Sequence, residues 1–472
     1  MKIIGREREC YELKRCVESP RPEFVAVYGR RRVGKTYLIK EYFNKQFAFY
    51  ATGISDEKTA GQLYAFNISL MDFGCDETTP PLNWFEAFAR LRKLLSKENV
   101  RREAINGKIV IFLDELPWMD TPRSDFKSAL DHFWNSWASS NEDILLIVCG
   151  SATSWIIDNL LTGQGGFYNR ITKRIRLLPF SLKECEELIL HNGVDIPRDQ
   201  IVECYMALGG IPFYLNMLDS RLSIAQNIDE LCFKDYGELR SEYDLMFRSL
   251  FKKPDKHMKI ITKLCKKKSG MTRVELAGVP EIGGGAGLTK ALRELEQCGF
   301  IRKYGNYTKK SNESYYQIID PFILFSVNNI NKGKTSWMEY INTPGFSAWR
   351  GNAFETVLLN HISQIKSALG ISGVESREYS WRSTQTAGGA QIDLLIDRND
   401  GVINLCEAKY SNNEYEIDQT EYEKIRNRVE VFREETGCKK AIHTTLITIN
   451  GLKTNKYSKA AQNIITAKEL FE

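Results

Sequence analysis

At 472 residues, with 43% hydrophobic, 26% charged and 11% aromatic side chains, the chain is too long for one ordinary core and has apolar mass for two to four domains. It shows no apolar run of membrane-spanning length and no apolar stretch of signal-peptide type at its start. Its 11 cysteines are odd in number, without a CxxC pair, which argues against disulfides and zinc and leaves a soluble, cytoplasmic protein as the expectation. The net charge of +5 conceals a basic segment, because residues 256–310 hold 13 Lys and Arg against 4 Glu and no Asp, a local excess of the kind that meets nucleic acid.

The first third alternates buried-strand and helical patterns, which predicts a parallel α/β sheet. Strands are expected at 24–28, 109–113 and 144–148, where continuous apolar runs occur. The first strand leads into Gly29-Arg30-Arg31-Arg32-Val33-Gly34-Lys35-Thr36, a GxxxxGK[ST] loop with a helical run from Lys35. Such a loop turns backbone amides inward around phosphates, and the helix N-terminus adds partial positive charge. Lys35 is expected to reach the β and γ phosphates, and the Thr36 hydroxyl to ligate magnesium. The side chains of Arg30, Arg31 and Arg32 are expected to point to solvent. Asp114 and Glu115 close the second strand; the Asp suits the magnesium ion and the Glu suits polarising the attacking water.

These motifs resemble the AAA-type P-loop ATPases, in particular the archaeal-type branch that also occurs in bacteria. Further matches are Ile4-Gly5-Arg6-Glu7-Arg8-Glu9, Cys149-Gly150-Ser151, Phe167-Tyr168-Asn169-Arg170 and Gly209-Gly210-Ile211-Pro212, and the likeness covers roughly residues 1–230. It implies ATP and Mg as cofactors. The nucleotide would lie against Gly29, Arg32, Val33, Gly34, Lys35, Thr36 and Tyr37, with Gly5, Arg6 and Pro212 near the base. Ser151 would sense the γ-phosphate. Arg170 would act on a neighbour's nucleotide, which implies a homo-oligomer, although a plain surface arginine fits the sequence as well.

Beyond residue 178 helices take over, at 183–190, 201–207 and 214–217. In the basic segment, helices are expected at 257–267, from Thr272 (an N-cap with Glu275 completing a capping box) and at 288–298, after a glycine loop at 283–287. A strand pair with a polar tip at 307–314 follows. Three helices and a basic hairpin resemble a winged helix. In such folds the third helix can enter the major groove while the wing meets phosphates, which points to Lys290 and Arg293, with Lys309 and Lys310 on the wing, as DNA contacts.

The last third returns to mixed α/β, with a helix at 352–369 and strands at 391–396 and 403–409 around a turn at 399–401. Asp393 stands on one strand, and Glu407 and Lys409 share a face of the next. Two carboxylates and a lysine can hold magnesium and orient a water toward a phosphodiester. With Glu355 from the preceding helix, the set resembles the PD-(D/E)xK restriction-endonuclease-like superfamily, less the proline, since Ile392 precedes Asp393. The resemblance implies Glu355, Asp393, Glu407 and Lys409 as catalytic residues, with Asp393 and Glu407 on the metal. Lys409 pairing with Glu407 on a solvated face is the plainer alternative.

The expected organisation is a P-loop NTPase core at 1–180, a helical lid at 181–250, a winged helix at 251–335 and a nuclease-like domain at 336–472. Two functions fit it: an ATP-hydrolysing protein acting on DNA through a metal-dependent nuclease-like domain, or a regulatory ATP switch whose last domain binds DNA or a partner without cutting.

Overall fold

The computed structural model describes residues 3–162, 167, 169–305, 307, 314–333, 336–383 and 390–472. It forms two compact units, Met1–Leu178 and Pro179–Glu472.

The first unit is built on five parallel strands, β1 (Glu23–Gly29), β2 (Phe49–Thr52), β3 (Ile109–Asp114), β4 (Ile144–Gly150) and β5 (Lys173–Leu177), in the order β2-β3-β4-β1-β5. β3 and β4 are buried along their whole length, as the continuous apolar runs require of strands covered on both faces. β2 and β5 went unrecognised in the sequence. The first has only four residues, and in β5 basic residues alternate with Ile175 and Leu177 at an exposed edge. Phe24, Trp84, Phe126 and Trp134 pack into one core with helices Trp84–Leu95 and Phe126–Ser136.

The second unit opens with helices Leu182–His191, Arg198–Leu208, Pro212–Leu215 and Ile224–Cys232. Helices Asp255–Cys265, Arg273–Ala277 and Gly285–Gln297 follow, with the antiparallel strands β6 (Met271–Thr272), β7 (Ile301–Gly305) and β8 (Ser314–Ile318) in the order β6-β8-β7. Thr272 caps its helix and makes the full capping box with Glu275. The third helix begins at Gly285, inside the expected glycine loop, because first-turn amides have no intrahelical partner and tolerate glycine there. Lys290 and Arg293 are exposed on it. Lys309 and Lys310 lie outside the described residues.

The last sheet is mixed, with β9 (Ser376–Arg382), β10 (Gln391–Arg398), β11 (Val402–Lys409), β12 (Ala441–Thr448) and β13 (Asn463–Ile465) in the order β13-β12-β11-β10-β9. β9, β10 and β11 pair antiparallel, while β12 and β13 run parallel to β11. The expected helix at 352–369 is two helices, Pro344–Asn360 and Ile362–Ala368. Its start is set by Pro344 at the first helical position, where the missing N–H costs nothing. Its break is set by His361, whose Nδ1 donates to the Val357 carbonyl at 2.7 Å and displaces the helical bond.

His361 is fully buried, and its Nε2 accepts the Leu182 amide at 3.0 Å. Burial pushes the ring down to about 4 from 6.5. The unfolded chain therefore binds this proton at higher pH than the folded chain. Stability is complete above 6.5 and falls by up to roughly 3 kcal/mol as pH drops toward 4. Melting of wild type and His361→Gln between pH 7 and 4 should show the steeper decline in wild type; parallel profiles would contradict the assignment.

Candidate functional site

The loop after β1 is shaped by two glycines. A Cβ on Gly29 (φ 149°) would sit 2.1 Å from the Leu177 carbonyl oxygen on β5, and Gly34 (φ 90°) lies in left-handed territory. Arg32 is also left-handed (φ 69°), a conformation that costs a side-chain-bearing residue about 1–2 kcal/mol. The Lys35 ammonium is buried and donates to the Gly29 and Arg30 carbonyls at 3.0 and 2.9 Å. The Thr153 hydroxyl also donates to Gly29 O at 3.0 Å. The expectation that the three loop arginines point to solvent is corrected for Arg30. Arg30 is buried and donates to the Arg31 carbonyl, and Arg31 and Arg32 are half-buried. The desolvated Arg30 guanidinium beside the Arg31 carbonyl helps hold the turn.

Asp114 ends β3, and its Oδ2 accepts the Thr36 hydroxyl at 2.8 Å. Burial pushes the Asp114 carboxyl up, while Thr36 and the Glu115 amide pull it down. Glu115 is left-handed (φ 45°). Three hydrogen bonds hold this strained backbone: its own amide to Asp114 Oδ1 at 2.9 Å, and Ser151 N and Oγ to its two carboxylate oxygens at 3.1 and 2.6 Å. Strain retained by such constraints clusters at working sites. Thus Lys35, Thr36, Asp114, Glu115 and Ser151 meet at the ends of β1, β3 and β4, where parallel sheets bind ligands.

The remaining residues predicted for the nucleotide are placed as follows. Arg6, left-handed and buried beside Gly5, donates to the Val33 carbonyl at 3.1 Å. Tyr37 stands exposed in the first turn of helix Lys35–Tyr42. Arg170 forms an ion pair with Asp131 at 2.8 Å, and Tyr168 lies outside the described residues. Pro212 belongs to the second unit, where it opens helix Pro212–Leu215 and the Gly210 carbonyl accepts the Phe180 amide. Thr153 carried no sequence signal, since its contact with Gly29 spans 124 residues.

In the second unit, Glu355, Asp393, Glu407 and Lys409 come from helix Pro344–Asn360, β10 and β11. The pairing of β10 with β9 shifts between Ile392 and Leu395, and such irregularities often re-aim a side chain beside a site. The Asp393 carboxylate accepts Gln391 Nε2 at 2.6 Å. Glu407 Oε2 accepts Arg428 at 2.7 Å, and Lys409 lies 3.1 Å from Glu407 Oε1 and 2.9 Å from Glu421. Lys268 donates to Glu355 at 3.1 Å. Burial pushes Glu355 up to about 7; Asp393 and Glu407 add repulsion that Lys268 opposes. Burial also raises Glu407, against the pull of Arg428 and Lys409.

The four residues therefore share one electrostatic neighbourhood, yet each carboxylate has a protein partner. Among the described residues no three His, Cys, Asp or Glu form a group that could hold a metal ion. Lys268, Arg302 and Arg428 escaped the sequence reading because they belong to no motif. Arg302 bonds Ser380 Oγ at 2.8 Å and the Asp393 carbonyl at 3.3 Å.

Residues 3–218 match the model of a family described as an ATPase domain predominantly from Archaea. An uncharacterized protein of Methanocaldococcus jannaschii is 24% identical over 331 residues, covering 68% of this chain and 67% of that protein. Among solved structures, the Walker-type ATPase of Pyrococcus abyssi aligns at 18% identity with a TM-score of 0.48, over 69% of this chain and 96% of its own. The ORC2 protein of Aeropyrum pernix, solved with ADPNP and ADP, aligns at 14% with a TM-score of 0.43, over 70% and 95%. The family match spans the unit that carries the phosphate loop and continues into the second unit as far as residue 218, and the chain is an ATPase.

Proposed function

We propose that this ATPase acts on DNA, with 181–250 as a lid, 251–335 as a winged helix and 336–472 as a PD-(D/E)xK-like domain. In the first unit the donor set suits a nucleotide with magnesium. Thr36 Oγ1 and Asp114 Oδ2 stand 2.8 Å apart and would hold the ion, which supplies charge neutralisation at the phosphates. Lys35 would exchange its loop carbonyls for phosphate oxygens, Glu115 would take the proton of the attacking water, and Ser151 would respond to the γ-phosphate. Gly5 and Arg6 are assigned to the base, and Arg170 to a neighbouring subunit once released from Asp131.

The observation that carries the DNA reading is the gathering of Asp393, Glu407 and Lys409 on neighbouring strands with Glu355 from helix Pro344–Asn360, and Lys268 of the basic segment reaching Glu355. The exposed Lys290 and Arg293 supply a basic helix face for the duplex. As they stand, the carboxylates offer no cation site among the described residues. This favours the second reading, a switch whose last domain binds DNA or a partner without cutting.

The test is cleavage of plasmid and single-stranded DNA with magnesium or manganese, with and without ATP, by wild type and Glu407→Ala/Lys409→Ala. Metal-dependent cutting that the double variant loses is the result expected of a nuclease. No cutting with ATP hydrolysis intact selects the switch. Failure of wild type to bind either DNA would end the first reading and the DNA-binding form of the second.

A further inference from the structure

In the second unit a cleft of about 600 Å3 is lined by Lys266, Lys268, Asn328, Lys332, Asn352 and Glu355, among others. Its lining comes from the segment after helix Asp255–Cys265, from residues 324–332 and from helix Pro344–Asn360. One side is a turn of π-helix, Ser326–Ile330, closed by the Asn331 amide on the Ser326 carbonyl at 2.9 Å. Such turns accommodate an extra residue and are frequent at functional sites.

The chemistry of the lining is one-sided. Lys266, Lys268 and Lys332 are exposed and face a single acidic side chain, Glu355. Asn328 and Asn352 add amides that donate to phosphate or to base edges. The volume lies within the roughly 300–1,000 Å3 that a drug-sized ligand fills. It has room for a nucleotide or two and none for a duplex. The three lysines come from two separate segments, an arrangement for successive phosphates along a strand.

We infer that this cleft takes a single nucleic-acid strand, whose phosphates engage Lys266, Lys268 and Lys332 and whose path ends at Glu355. The inference rests on the DNA reading above. It gives the Lys268–Glu355 ion pair a purpose, since a phosphate that draws Lys268 away frees the Glu355 carboxylate in the same step.

The test uses the full chain and a fluorescein-labelled eight-residue oligo(dT), read by anisotropy across a salt series. Lys266→Ala/Lys332→Ala removes two exposed charges; Lys14→Ala/Lys93→Ala, in the first unit, removes the same charge elsewhere. The expected result is a loss of tenfold or more for the cleft variant, with the salt slope reduced by about 1.4, the contribution of two single-strand phosphate contacts. Equal affinity in the two variants would overturn the inference. So would dTMP competing as well as the oligomer, which marks a mononucleotide site. An oligomer that binds through the cleft without being cut sinks only the nuclease reading, whereas metal-dependent cutting indifferent to the cleft variant sinks only the cleft.

Discussion

Lys35→Ala should abolish ATP turnover, by a factor on the order of 10² to 10³ at least, the scale of losing one preorganised donor to a developing charge. The Lys35 ammonium is buried, and two main-chain carbonyls hold it inside the loop. It is thus desolvated and held inside the loop before any nucleotide arrives, and phosphate oxygens would take the place of the two carbonyls. Alanine suits a first helical turn, and Thr153 still satisfies the Gly29 carbonyl, so folding should survive. Phosphate release and melting measured together separate the outcomes. Turnover within tenfold of wild type would remove the phosphate loop from the mechanism.

The second large effect is expected for Glu115→Gln. Nucleotide binding should persist while hydrolysis falls by roughly 10²- to 10⁴-fold, the range for a lost general base. The amide keeps the size of the side chain and one acceptor for Ser151. It cannot accept from both Ser151 N and Ser151 Oγ as the carboxylate does, so a small loss of stability is also expected. Binding of a fluorescent ATP analogue, followed beside phosphate release, tests this. Loss of both together would make Glu115 a structural residue.

The phosphate loop was legible because its chemistry is local. Glycines, lysine and threonine within eight positions carry both the turn and the ligands. The strands β1, β3 and β4 were legible because burial on both faces writes a continuous apolar run. β5 was not, since an edge strand with exposed arginines has no such run. The burial of Arg30 was also missed, because a charged residue gives no sign in sequence of the carbonyl that will receive it. In the last third, the alternation of Glu407 and Lys409 predicted their shared face, and the 3.1 Å pair agrees. Their other partners, Arg428 and Glu421, lie on a helix whose placement no spacing encodes. The break at His361 depends on a ring bonded to Val357 and to Leu182, the latter 179 residues away.

The stitching within the second unit bears on how this protein can be inherited. Asp229 accepts the Ser336 hydroxyl at 3.1 Å and the Met338 amide at 3.3 Å, and Leu182 leans on His361. Arg302 reaches Ser380, and Lys268 reaches Glu355. Each bond crosses a boundary that the sequence suggests, and severing those of Asp229 or His361 strands a buried polar group at about 1–3 kcal/mol. A recombination event that exchanged only the last 137 residues would thus strand several at once. Residues 336–472 should therefore travel through evolution together with the helices that precede them, and not as a detachable module.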